Sequence, residues 1–79
     1  MKIINVDQEI MGGMPVFNGT RVPIKNLFDT LECGENIDDF LDGFPSVNRR
    51  QINGLFELLQ QMISLSALMF DENYTPAME

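Results

Sequence analysis

Few side chains in this sequence have the chemistry for catalysis or recognition. They are the adjacent Arg49 and Arg50, the aspartates Asp38, Asp39 and Asp42, Arg21 within Gly19-Thr20-Arg21, and the single Cys33. Histidine is absent, which removes Ser-His-Asp and Cys-His catalysis and every His-based metal site. Asp38 and Asp42 fall on one helical face, but two carboxylates make a poor cation site, and acidic residues in a first helical turn are expected from the helix dipole alone. No metal and no cofactor are therefore expected. Cys33 has no adjacent Lys or Arg in sequence and reads as a packing residue. Arg49 and Arg50 would lie in the first turn of the helix that enters a major groove if the chain reads DNA, with Lys25 and Lys2 as phosphate contacts. Their other reading is two solvated surface arginines. Arg21 reads either as a contact for a phosphate or carboxylate, or as a structural ion pair that fixes the N-terminal arm on the helices.

The chain has 79 residues, five Lys+Arg and twelve Asp+Glu, for a formal net charge of −7. Residues 1–25 carry +1, residues 26–45 carry −6, residues 46–50 carry +2 and residues 51–79 carry −4. This balance opposes nonspecific adhesion to nucleic acid, which rests on clustered Lys and Arg. One domain is expected at this length. A lone core below about 70–80 residues is marginal without a disulfide, a metal or oligomerisation. One cysteine and no histidine leave oligomerisation or a tightly held partner. The start, Met1-Lys2-Ile3-Ile4 followed by Asn5, Asp7 and Glu9, is too polar for a signal-peptide core, and no stretch is apolar enough for a membrane span. A cytoplasmic protein, not an enzyme, is the expectation.

The elements that must position these residues are legible in the spacing. Two short runs, Met14–Phe17 and Thr20–Ile24, flank Asn18-Gly19, a pair suited to a two-residue type I′ turn. Pro15 and Pro23 mark these runs as edge or short strands, and Gly12-Gly13 marks a turn before them. Ile24, Leu27, Phe28 and Leu31 then repeat with helical spacing, with Gly34 where a C-terminal cap would sit. Asn36 with Asp39, and Asn48 with Gln51, are two capping boxes that open a second and a third helix. Gly43-Phe44-Pro45 ends the second. Phe17, Phe28, Phe40, Phe44 and Phe56 are expected in the core.

The third helix carries the stripe Ile52, Leu55, Phe56, Leu59, Met62 and Ile63, interrupted by Gly54, which is either a mild weakness or a place where another segment approaches closely. Leu58, Leu65 and Leu68 lie off that stripe. A helix apolar on two faces must be covered on two faces, so this end is expected to pack on a second copy or a partner, with Met62 and Met69 suited to an adaptable interface. Hairpin, short helix, short helix and long helix is the layout of a helix-turn-helix module with a β-arm.

The run Gly13-Met14-Pro15-Val16-Phe17-Asn18-Gly19-Thr20-Arg21-Val22-Pro23-Ile24 resembles the G-x-P-v-x-x-G-T-R-i-P-v signature of a bacterial and archaeal family. That family, formerly known as domain-of-unknown-function four-three-three, is regarded as VapB-type antitoxins. Gly13, Pro15, Gly19, Thr20, Arg21 and Pro23 carry the signature, and the likeness extends from about residue 3 to residue 64. It implies a mainly α, homeodomain-like helix-turn-helix fold, usually dimeric, that binds and neutralises a PIN-like ribonuclease toxin and in some members binds operator DNA. Arg49-Arg50, where members often carry acidic residues, and the apolar then acidic C-terminus depart from the pattern.

Together these readings give a domain over residues 1–70, with a β-arm at 1–24, a third helix at 48–70 and an acidic tail at 71–79. The expected activity is that of an antitoxin. Leu58, Met62, Leu65, Leu68, Met69 and Phe70 form the expected toxin or dimer interface, and Arg49, Arg50 and Lys25 the DNA contacts. The rivals are a helix-turn-helix regulator without a toxin and a structural or adaptor dimer.

Overall fold

A computed structural model describes residues 1–66. Two short strands, β1 (Ile4–Asn5) and β2 (Val16–Phe17), precede three helices, α1 (Ile24–Glu32), α2 (Ile37–Gly43) and α3 (Arg49–Leu65). The fold is mainly α with a small antiparallel arm near the N-terminus. The expectations for residues 67–70 and for the tail at 71–79 lie outside the described residues.

The arm departs from the predicted hairpin in two respects. β2 is short, as expected, but it is paired on both sides: β1 lies along one, Ile4 opposite Phe17 and Asn5 opposite Val16, while Val16 also bridges Pro23 on the other. Pro15 and Pro23 cost no ladder bond, because the Pro15 carbonyl accepts the Ile24 N–H at 3.0 Å and the Val22 carbonyl accepts the Phe17 N–H at 3.0 Å. The turn at Asn18-Gly19 also differs from type I′. That turn needs positive φ at both central residues, but here only Gly19 has it, at 81°. With the Thr20 N–H bonded to the Phe17 carbonyl at 3.0 Å, this is the pattern of a type II turn. Between β1 and β2, Met11–Gly13 forms one 3-10 turn.

The helix ends follow the predicted chemistry. After α1, the Gly34 N–H bonds to the Leu31 carbonyl at 3.0 Å and the Glu35 N–H to the Thr30 carbonyl at 3.2 Å, a Schellman closure. Both capping boxes form. The Asn36 side chain accepts the Asp39 N–H at 2.8 Å while Asp39 accepts the Asn36 N–H at 3.0 Å. Asn48 and Gln51 repeat the exchange at 2.9 and 3.1 Å.

The core lies where the arm meets the three helices: Val16, Phe17, Ile24, Leu27, Phe40, Val47, Ile52 and Leu55 are all buried. Phe40 stacks obliquely between Phe17, at 6.0 Å, and Phe44, at 4.9 Å. Phe44 and Phe56 are half-buried against this cluster. Phe28, expected in the core, is exposed. The inward stripe of α1 is Ile24, Leu27 and Leu31, and Phe28 sits about 100° around the helix from Leu27.

Candidate partner-binding surface

The signature residues build the joint between arm and helices. Thr20 Oγ1 donates to the Phe17 carbonyl at 2.8 Å and accepts the Val22 N–H at 3.0 Å, closing the turn that Gly19 opens. Pro23 is buried at the N-cap of α1, with φ −62° already set for the entry. The backbone of Pro15 holds Ile24, and at Gly13 a side chain would run into Gln8. Arg21 is exposed and has no ion pair among the described residues. The arm is instead anchored by Gln51. Its Oε1 caps α3 while its Nε2 donates to the Asn18 carbonyl at 3.0 Å, and the side chain is buried. Sequence reasoning identified the cap at Gln51 but not its second bond; an amide at that position, able to donate as well as accept, was the available signal.

The proposed DNA contacts are spread over two helices, and two of the three are already engaged. Arg49, in the first turn of α3, pairs with Asp38 of α2. Lys25 pairs with Asp29 one turn along α1 at 2.7 Å. That hydrogen bond and the Asp29 charge raise the Lys25 pKa, with Glu32 adding to the effect. The small contribution of the pair is fully present below the ordinary lysine pKa and is lost as pH rises through the raised value. Arg50 is exposed without an ion pair among the described residues. Beside the α3 N-terminus, α2 presents Asp38, Asp39 and Asp42, all exposed. Asp38 holds Arg49 and Asp39 caps its own helix, and no trio of metal-ligating side chains converges among the described residues. Cys33, expected to pack, is exposed at the end of α1.

The distal half of α3 is apolar and uncovered. Its inward stripe begins on the core with Ile52 and Leu55, continues half-buried at Leu59, and then overshoots: Met62 is 54% exposed and Ile63 65%. On another face Leu58 is half-buried and Leu65 is 84% exposed. Leu68, Met69 and Phe70 lie outside the described residues.

Gly54 is the close-approach site that its place in the stripe suggested. A Cβ there would stand 2.4 Å from Ile3 Cδ1, so its absence lets the start of the arm lie on α3. A shallow groove results, with Met1, Ile3 and Ile4 on one wall and Gly54, Leu58 and Gln61 on the other. No described helix is long and apolar enough to cross a membrane.

The profile of a family described as "Protein of unknown function (DUF433)" matches residues 4–57, from β1 through the buried part of α3. The uncharacterized protein y4eO of Sinorhizobium fredii (strain NBRC 101917 / NGR234) is 31% identical over 51 residues, 65% of this chain. The match spans only 23% of that relative's length. No solved structure matches the chain.

Proposed function

The chain belongs to the DUF433 family, and we propose that it is a non-enzymatic, antitoxin-type binding module that engages a PIN-like ribonuclease toxin through the end of α3. The observation that carries this reading is the overshoot of the inward stripe: Met62 and Ile63 continue the line of Ile52 and Leu55 past the last core residue. Burying a side chain of this size stabilises a complex by about 1.5–3 kcal/mol when the burial is complete. An amphipathic helix presenting such a stripe to a groove is a common mode of protein recognition. The carboxylates of residues 26–45 favour a basic partner surface and speed its approach. A lone exposed thiol suits a reducing cytoplasm as the place of action.

Operator binding is the weaker reading. Affinity for DNA grows with the number of phosphates neutralised. Arg49 and Lys25 are turned to carboxylates of their own chain, which leaves Arg50 and Lys2 of the proposed contacts, and Lys2 is bonded to the Asn5 side chain.

The test uses the purified product of the neighbouring gene. The full chain should bind it and suppress its RNA cleavage, and the double variant Met62→Glu, Ile63→Glu should bind about tenfold more weakly or worse. Unchanged binding by that variant, or a neighbour that is no ribonuclease, would overturn the proposal.

A further inference from the structure

Taking the partner to be the ribonuclease proposed above, we infer that the groove between β1 and α3 binds an extended segment of it, which adds to the open edge of β1 and sets a lysine or arginine against Glu57. The pairing of the arm decides which backbone groups are spare. Ile4 stands opposite Phe17 and Asn5 opposite Val16. The Asn18 N–H bonds to the Ile3 carbonyl at 2.8 Å, while the Phe17 N–H turns the other way, to the Val22 carbonyl. Bonded and non-bonded pairs alternate along an antiparallel ladder, so Ile3 and Asn5 bond to β2 and Ile4 faces away from it. The Ile4 N–H and C=O point out of the open edge of β1, and neither has a backbone partner among the described residues. A segment that meets such an edge must itself be extended, and it gains main-chain bonds there by adding as a strand.

The side chains of the groove fix the rest of the occupant's chemistry. Ile3, brought close by the missing side chain at Gly54, and Leu58 give it apolar sides. Glu57 is the one charged side chain that lines it, and it is exposed with no ion pair among the described residues. An apolar groove with one unpaired carboxylate suits an apolar segment that carries a cation. DNA would bring phosphates to that carboxylate, and a second copy would bring a chain of −7. The groove reaches Gln61, the residue before Met62, so a partner that covers Met62 and Ile63 is already at its mouth.

Amide hydrogen exchange of the full chain, alone and with the purified product of the neighbouring gene, tests this. In the free chain the Ile4 N–H should exchange readily and the Asn5 N–H, bonded to β2, more slowly. In the complex the Ile4 N–H should slow about tenfold or more. Glu57→Lys, a change at an exposed position, should weaken binding about tenfold or more, and Glu57→Gln by less. An Ile4 N–H that exchanges equally fast in a complex that does form, or a Glu57→Lys variant that binds like the wild type, would overturn the docking on β1 and leave the contact through Met62 and Ile63 standing. A chain that binds no ribonuclease would overturn both. Slowing of the Ile4 N–H in the chain alone as its concentration rises would give the groove to a second copy, and the ribonuclease segment would be refuted as its occupant.

Discussion

At Gln51 one side chain joins two parts of the fold, capping α3 through its oxygen and holding the Asn18 carbonyl through its nitrogen. Gln51→Glu separates the two functions, because a carboxylate still accepts the Asn48 N–H but no longer donates to Asn18. The introduced charge would face a carbonyl oxygen in a buried position, and loss of such a bond costs about 1–3 kcal/mol. Its pKa would be raised, so between the ordinary and raised values the folded chain holds more protons than the unfolded one. Stability therefore falls as pH rises through that window, from about pH 4 upward. Urea titrations at several pH values should show the variant close to wild type in acid and progressively weaker toward neutrality. A gap that does not change with pH would mean that the bond to Asn18 contributes nothing.

The elements divide into those readable from local chemistry and those fixed by distant contacts. Both capping boxes, the Gly34 closure and the inward stripe of α3 could be read because each depends on residues within one or two turns. β1 could not: Ile4–Asn5 is only two residues long, and its pairing with β2 is decided across an intervening turn by the burial of Phe17 beneath the helices. Type I′ and type II turns share a preference for glycine, and only the backbone at Asn18 separates them. Of the candidate surface, the apolar excess at the end of α3 was legible, whereas the pairing of Arg49 with Asp38 required the packing of two helices. Gly54 was half legible, as a gap in a stripe whose occupant proved to be Ile3. Leucine is a good helix former, so Gly54→Leu would gain propensity on its own. Because its side chain must displace Ile3, we expect a net loss of about 1–3 kcal/mol. Adding Ile3→Ala should recover part of that loss in thermal or urea unfolding. Stabilisation by Gly54→Leu alone would show that the arm yields freely.

At the scale of the whole molecule the distribution of charge weighs against DNA as a partner. If α3 entered a major groove, the preceding helix of a helix-turn-helix would cross the phosphate backbone. Here that helix is α2, whose exposed Asp38, Asp39 and Asp42 would face the phosphates, with Asp38 already drawing Arg49 away from them. Of Arg49, Arg50, Lys25 and Lys2, only Arg50 and Lys2 are left without an ion pair among the described residues, against a chain of −7. Nonspecific duplex binding by DNA-binding proteins typically falls near 10⁻⁴–10⁻⁶ M at physiological salt. This chain should bind more weakly than about 10⁻⁴ M, the weak end of that range. The triple variant Asp38→Asn, Asp39→Asn, Asp42→Asn removes three negative charges and frees Arg49. Its affinity for duplex DNA should rise, with a steeper dependence on salt because more phosphates are neutralised. Fluorescence anisotropy across a salt series measures both quantities. Tight, steeply salt-dependent binding by the wild type would show that α2 does not lie over the backbone, and would return Arg49 and Arg50 to the role their place in α3 first suggested.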